Sequence, residues 1–256
     1  MSNFSRLIEK ETEMALETNT LGVIPARLAS TRLPRKVLRP IAGLPMIEWV
    51  YNAAKKCKQL DDVVIATDSD EVLDLANKRG WRAMLTSETC ASGSDRVFEV
   101  SRNIPAKIYV NIQGDEPLLR PEHIDALLRP FQREGVRVST LATACTRDEI
   151  HNPNAVKVVT APDGRALYFS RSPIPYDRDN SGFICKKHLG LYAYRKDALE
   201  MFANLPPGLL EQTERLEQLR FLENGIDVFV EETPHNTIGV DTEEDLAAVE
   251  ALLLLW

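Results

Sequence analysis

The chain has 256 residues, 44% hydrophobic and 27% charged, which is ordinary globular composition and long enough to bury a sizeable core without staples. Its formal charge of −7 argues against a general nucleic-acid binder, whose phosphate contacts need a basic face, but leaves room for a local cationic cluster around a small anion. Cys57, Cys90, Cys145 and Cys185 are far apart with no Cys-x-x-Cys pair, so no structural zinc is expected and reduced thiols in a cytoplasmic protein are.

Met1 to Thr20 lacks an apolar run and does not read as a secretory signal, and the closing Ala251–Trp256 is too short for a membrane span. Residues 1–19 are expected to be a leader, helical or disordered, and 20–256 one domain. Leu21–Pro25 reads as a buried strand, followed by a loop rich in Arg, Lys and Pro. Pro45 opens a helix carrying Ile47, Val50, Tyr51 and Ala54, and Val63–Ala66 is a second strand. Val72, Leu75 and Ala76 lie on a helix stopped by Gly80. A strand over Ala83–Thr86, a helix over Asp95–Arg102, a strand over Lys107–Gln113 and a helix over Pro121–Phe131 follow.

This alternation predicts an α/β fold, a mostly parallel twisted sheet with helices on both faces. Functional groups then gather at the carboxyl ends of the strands, which places Arg27, Asp68 and Asp115 along one edge. From Val138 the pattern becomes richer in strands: Val138–Cys145, Val156–Thr160, Ala166–Phe169 and Leu189–Tyr194, with a surface loop over Ser172–Lys187. A smaller sheet lobe is therefore expected over roughly 138–200. A helix over Glu211–Glu223, a strand over Ile226–Val230 and a helix over Asp245–Leu254 capped by Thr242 close the chain.

Three segments could carry chemistry. Arg27, Arg32, Arg35 and Lys36 lie within ten positions after a buried strand, which suits a triphosphate held by cations and main-chain N–H groups. The loop has neither a Walker Gly-Lys-Ser/Thr nor a Gly-x-Gly-x-x-Gly, and a solvated basic loop remains open. Asp115, between Gly114 and Glu116-Pro117, is a carboxylate on a constrained turn that suits Mg²⁺, or else bonds its own backbone. Asp241 precedes Thr242 and an acidic first turn, where helix capping is the favoured reading. Histidines 123, 151 and 235 read as surface residues.

Together, Leu21–Met46, Ala66–Asp68, Ser92–Arg96, Val110–Pro117, Asn152–Val159, Ala166–Arg178, His188–Arg195, Leu216–Arg220 and Gly239–Thr242 resemble, in order, the pattern of the CMP-Kdo synthetases, 3-deoxy-manno-octulosonate cytidylyltransferases. The resemblance implies a nucleotidyltransferase, Rossmann-type fold that joins CMP from CTP to Kdo, with Mg²⁺ as cofactor. It implies a homodimer serving lipopolysaccharide synthesis, with the dimer and sugar contacts in the smaller lobe and no membrane or nucleic-acid partner. A sialate-like or amino-Kdo substrate is the alternative. By the same resemblance Ala26, Arg27, Arg32, Lys36, Ser92 and Arg96 bind the nucleotide, and Asp115 and Asp241 hold the metal. Arg27, Lys36, Asp115 and Asp241 form the catalytic set. Gln113, Arg171, His188, Tyr192, Glu217 and Gln218 line the sugar site, with Arg171 near the substrate carboxylate. Cys90, Arg35 and Leu44 stand where the family commonly has His, Gly and Lys or Arg.

Overall fold

The computed structural model describes residues 18–30, 32–90, 92–179 and 181–255; the expected leader lies, up to residue 17, outside them. The fold begins two residues earlier than the leader boundary, with β1 at Thr18–Ala26. The chain continues through a short hairpin, β2 (Pro40–Ile41) and β3 (Leu44–Pro45), then α1 (Met46–Lys56), β4 (Asp62–Thr67), α2 (Asp70–Arg79) and β5 (Ala83–Leu85). Next come α3 (Gly93–Asn103), β6 (Ala106–Asn111), α4 (Pro121–Leu128) and β7 (Val138–Ala144). A one-turn α5 (Arg147–Ile150) leads to β8 (Lys157–Thr160), β9 (Ala166–Ser170), the long β10 (Lys186–Arg195) and α6 (Lys196–Asn204). The chain closes with α7 (Leu209–Glu214), α8 (Leu219–Glu223), β11 (Val228–Glu232) and α9 (Glu243–Leu253).

The main sheet runs in the order β11-β7-β10-β6-β1-β4-β5, with β8 and β9 branching from β10. β5, β4, β1 and β6 are parallel, β11 is parallel to β7, and β10 is antiparallel to both its neighbours. The chain moves outward from β1 to β4 and β5, then crosses back through α3 to place β6 on the other side of β1. That reversal is a topological switch point, where a crevice opens at the carboxyl ends of the strands. The stretch over 138–200 divides between the two parts of the sheet: β7 and β10 run within its main path, and only β8 and β9 stand off it as an antiparallel arm.

β1, β4 and β6 carry buried apolar stretches because both faces are covered there, whereas the edge strand β5 is half-buried with Leu85 exposed. One core contains Val23, Val64, Val97, Tyr109, Tyr194, Phe202 and Phe221; the other contains Ile24, Ile47, Val50, Ile65, Ile112, Leu127 and Leu191. A third, smaller core joins Leu33, Ile41, Met46, Leu118, Val240, Val249 and Leu253. It ties the cationic loop, the β2–β3 hairpin and α9 into one unit beside the crevice.

The helix expected over Glu211–Glu223 is broken. Arg215 adopts a left-handed conformation (φ 55°), ending α7, and Leu216 to Gln218 cross before α8 begins. His123 is wholly buried rather than on the surface: its Nδ1 accepts from the Arg120 N–H at 3.1 Å and its Nε2 meets the His235 carbonyl at 3.0 Å. The Arg120 bond closes a local turn, but the His235 carbonyl lies 112 residues away and reaches the ring only through folding.

Candidate active site

The crevice at the carboxyl ends of β1 and β6 is a cleft of about 630 Å³, walled by Arg27, Arg32, Lys36, Ser92, Arg96 and Asp115 among others. Gly114 shapes its floor, because a Cβ there would lie 2.7 Å from the Pro25 carbonyl oxygen, so only glycine lets the turn after β6 press against the end of β1. That turn projects Asp115. The Val240 N–H donates to the Asp115 carbonyl at 2.9 Å, stitching the segment before α9 beside it.

Asp115 and Asp241 therefore meet. Both accept from the Lys36 ammonium, Asp241 at 2.9 Å, and Asp241 also pairs with Arg32 at 2.9 Å. Burial alone would lower the pKa of Lys36, but the charge and hydrogen bond of Asp115, joined by Asp241, raise it. Lys36 starts a short 3₁₀ turn entered through Arg35 at φ 57°, a backbone region that favours glycine. Capping and acid presentation coexist at α9. Thr242 caps the helix, accepting from the Asp245 N–H at 3.1 Å, and the Asp245 carboxylate takes the Asp241 and Thr242 N–H groups. The Asp241 side chain is left facing the cleft.

Two carboxylates that reach one nitrogen can share one small cation. Hard oxygen donors of this kind fit Mg²⁺, which takes one or two carboxylates and completes its shell with phosphate oxygens and water. Among the described residues no cluster of three or more His, Cys, Asp or Glu forms a denser cage.

Arg27 is exposed on the cleft wall and makes no hydrogen bond or ion pair among the described residues. Arg96 is buried and committed: it pairs with Asp68 at 2.8 Å and donates to Thr86. Ser92 caps α3 through Asp95. Ala26, expected among the nucleotide contacts, is wholly buried and off the wall; its carbonyl accepts from the Thr67 hydroxyl at 2.6 Å.

A second cleft of about 640 Å³ adjoins the first, with Gln113 and Glu217 on both walls. His188, Tyr192 and Gln218 also line it. Arg171 does not. Its guanidinium donates to the carbonyls of Glu214 (2.7 Å), Pro153 (2.9 Å) and Arg215 (3.3 Å), so it braces the wall from behind.

Residues that spacing missed here are Glu116, Glu149, Lys187, Arg215 and Thr237. Lys187 pairs with Glu149 at 2.5 Å. Burial, with the Asp115 charge beside it, pushes the Glu116 carboxyl up to about 7, and burial also raises Glu217. One carboxyl oxygen of each, and the Gln218 Nε2, are buried without a partner. Unsatisfied polar atoms around a polar cleft are what a hydroxyl-rich ligand would complete. Burial holds His188 down to about 3, so its ring is neutral.

The family model described as Cytidylyltransferase matches residues 21–232. A 3-deoxy-manno-octulosonate cytidylyltransferase of Acidobacterium capsulatum is 67% identical over 237 residues, spanning 92% of this chain and 97% of the relative. The chain belongs to the 3-deoxy-manno-octulosonate cytidylyltransferase family. The Koribacter versatilis member is 57% identical over 253 residues, covering 97% of each chain. The solved structure of CMP:2-keto-3-deoxy-manno-octonic acid synthetase complexed with CTP superposes with a TM-score of 0.90 at 41% identity. It covers 93% of this chain and 99% of its own. The 4-diphosphocytidyl-2C-methyl-D-erythritol synthase of Anaerococcus prevotii, 14% identical with a TM-score of 0.64, shares the fold alone. The family's nucleotidyltransferase fold thus matches the parallel sheet and its switch-point cleft.

Proposed function

We propose that this enzyme transfers CMP from CTP to the anomeric hydroxyl of 3-deoxy-manno-octulosonate, releasing pyrophosphate. The observation that carries the reading is the meeting of Lys36, Asp115 and Asp241 beside a cationic lip, with a second polar cleft opening from the same floor. The relatives' names agree with it.

The triphosphate lies in the first cleft against Arg27, Arg32 and Lys36, whose charges offset those of the phosphates. The acidic sugar lies in the second cleft, oriented by Gln113, His188, Tyr192, Glu217 and Gln218. Its anomeric oxygen forms a bond to the α-phosphorus in line as the bond to the bridging β-phosphate oxygen breaks, and the hydroxyl proton is lost to solvent. Positioning and charge neutralisation do most of this chemistry. Asp115 and Asp241 would hold Mg²⁺, which when bound supplies Lewis-acid charge to the α-phosphate and makes the attacking hydroxyl more acidic. Lys36, bonded to both carboxylates, offsets the repulsion between them, and its charge also neutralises the leaving group.

A homodimer is supported by exposed apolar side chains on and near the arm, Leu167, Tyr176, Phe183 and Ile184; light scattering would measure it. Among the described residues no helix is long and apolar enough to cross a membrane, which agrees with action in the cytosol, where CTP is available.

The deciding experiment is mass spectrometry of the product from CTP, Mg²⁺ and Kdo, with pyrophosphate release followed in parallel. A CMP-Kdo mass appearing with stoichiometric pyrophosphate is expected. Pyrophosphate release with a sialate or amino-Kdo and none with Kdo would overturn the substrate assignment.

A further inference from the structure

Thr140 lies in the middle of β7, wholly buried. Its hydroxyl oxygen has three polar neighbours: the Leu191 carbonyl at 2.7 Å, the Leu189 carbonyl at 3.2 Å and the His188 Nε2 at 2.9 Å. They converge because β10 bulges opposite Thr140, its register against β7 slipping between Leu189 and Tyr192.

A threonine hydroxyl has one proton to give and two lone pairs to offer. Both carbonyls can only accept, so the proton goes to them, with Leu191 the nearer. If it went to His188 instead, oxygen lone pairs would face each other at 2.7 and 3.2 Å. The ring nitrogen must therefore be the donor, and His188 carries its hydrogen on Nε2. The ring is held at its sides by Phe169 (centroids 5.0 Å apart) and Tyr192 (5.4 Å). Among the described residues nothing bonds the other nitrogen, Nδ1, and His188 lines the second cleft.

We propose that Thr140 is a positioning residue that fixes His188 as the Nε2–H tautomer, so that Nδ1 offers the second cleft a pure hydrogen-bond acceptor for a hydroxyl of the acidic sugar. The tautomer stands on geometry alone; its use by a sugar hydroxyl rests on the reading of the second cleft given above. An acceptor at this point favours a hydroxyl over a carboxylate, so His188 orients the polyhydroxy part of the ligand and leaves the acid group to the cations of the wall.

The test is a long-range proton–nitrogen spectrum of the ¹⁵N-histidine-labelled protein near neutral pH, with His188 assigned by its loss in His188→Gln. A pyridine-like Nδ1 and a pyrrole-like Nε2 are expected in the wild-type enzyme. Thr140→Val should shift the ring toward the Nδ1–H form and raise the KM for Kdo roughly three- to tenfold, leaving the KM for CTP unchanged. Thr140→Ser should restore both. A protonated Nδ1 in the wild-type protein overturns the inference, as does a Thr140→Val spectrum that keeps the Nε2–H form. Should Thr140→Val not fold, the wild-type spectrum still decides. An unaltered KM for Kdo in His188→Gln would overturn the reading of the cleft and leave the tautomer standing.

Discussion

Asp115 and Asp241 are shaped alike but held differently, one by a glycine turn and one by the entry to a helix, and both end on the same ammonium. Asp115→Asn or Asp241→Asn keeps the shape and removes the charge. Each should lower kcat by roughly 10²–10³ at saturating CTP, Kdo and Mg²⁺, read as pyrophosphate release, with little change in melting temperature. Near-normal turnover in either would remove the shared-cation reading. A separate residue-level test lies in the β2–β3 hairpin, whose two turn residues, Ala42 and Gly43, both have positive φ (46° and 82°). Alanine tolerates that region poorly and asparagine tolerates it well. Ala42→Asn should therefore stabilise the protein by roughly 0.5–1 kcal/mol in denaturant titrations. No gain would mean the strain is relieved elsewhere, for instance through the bond of the Ala42 N–H to Glu250 at 2.7 Å.

At the scale of elements, the turn after β6 and the third core together decide where the acids lie. Gly114→Ala places a methyl 2.7 Å from the Pro25 oxygen, and the turn must move. A loss of about 1–3 kcal/mol is expected, with at least a tenfold fall in kcat; unchanged activity would show the close approach to be dispensable. Much of this framework was legible in the residues. β1, β4 and β6 announce themselves as short apolar runs ending in polar turns, and Gly114-Asp115-Glu116-Pro117 marks the acid. Other features were hidden for physical reasons. The break between α7 and α8 is made by Arg215, which carries no turn signature, and the bulge in β10 meets a hydroxyl from β7 that only folding brings beside it. Arg171 reads as a ligand-facing cation, yet three carbonyls that only folding assembles claim its guanidinium. Glu116 was visible as part of its turn, but its buried, unpartnered oxygen was not.

For the molecule as a whole, the response to acid sets histidines kept neutral by burial against buried carboxyls that hold their protons. Burial lowers the pKa of both His123 and His188, the latter to about 3. Below the ordinary value of 6.5 the unfolded chain takes up protons that the native state refuses. The histidine contribution is then fully present above that pH and is lost as acid is added toward the native values. Glu116, raised to about 7, and Glu217 act in the opposite sense as pH falls toward the ordinary carboxyl range. Guanidinium titrations of the wild type and His188→Gln at pH 7 and pH 5 isolate the histidine contribution: the stability of the variant relative to wild type should rise on going to pH 5, and an unchanged difference would show that His188 titrates normally. The two clefts are also continuous with each other. They share a floor at Gln113 and a wall at Glu217, so a ligand in one forms a boundary of the other.

The stitch between Val240 and Asp115 has a consequence for the order of assembly. The strands of the sheet precede the segment that seats α9, and the second acid comes only with that segment. A chain that has not yet packed this segment against the turn after β6 is a nearly finished scaffold that presents one carboxylate to the cleft instead of two.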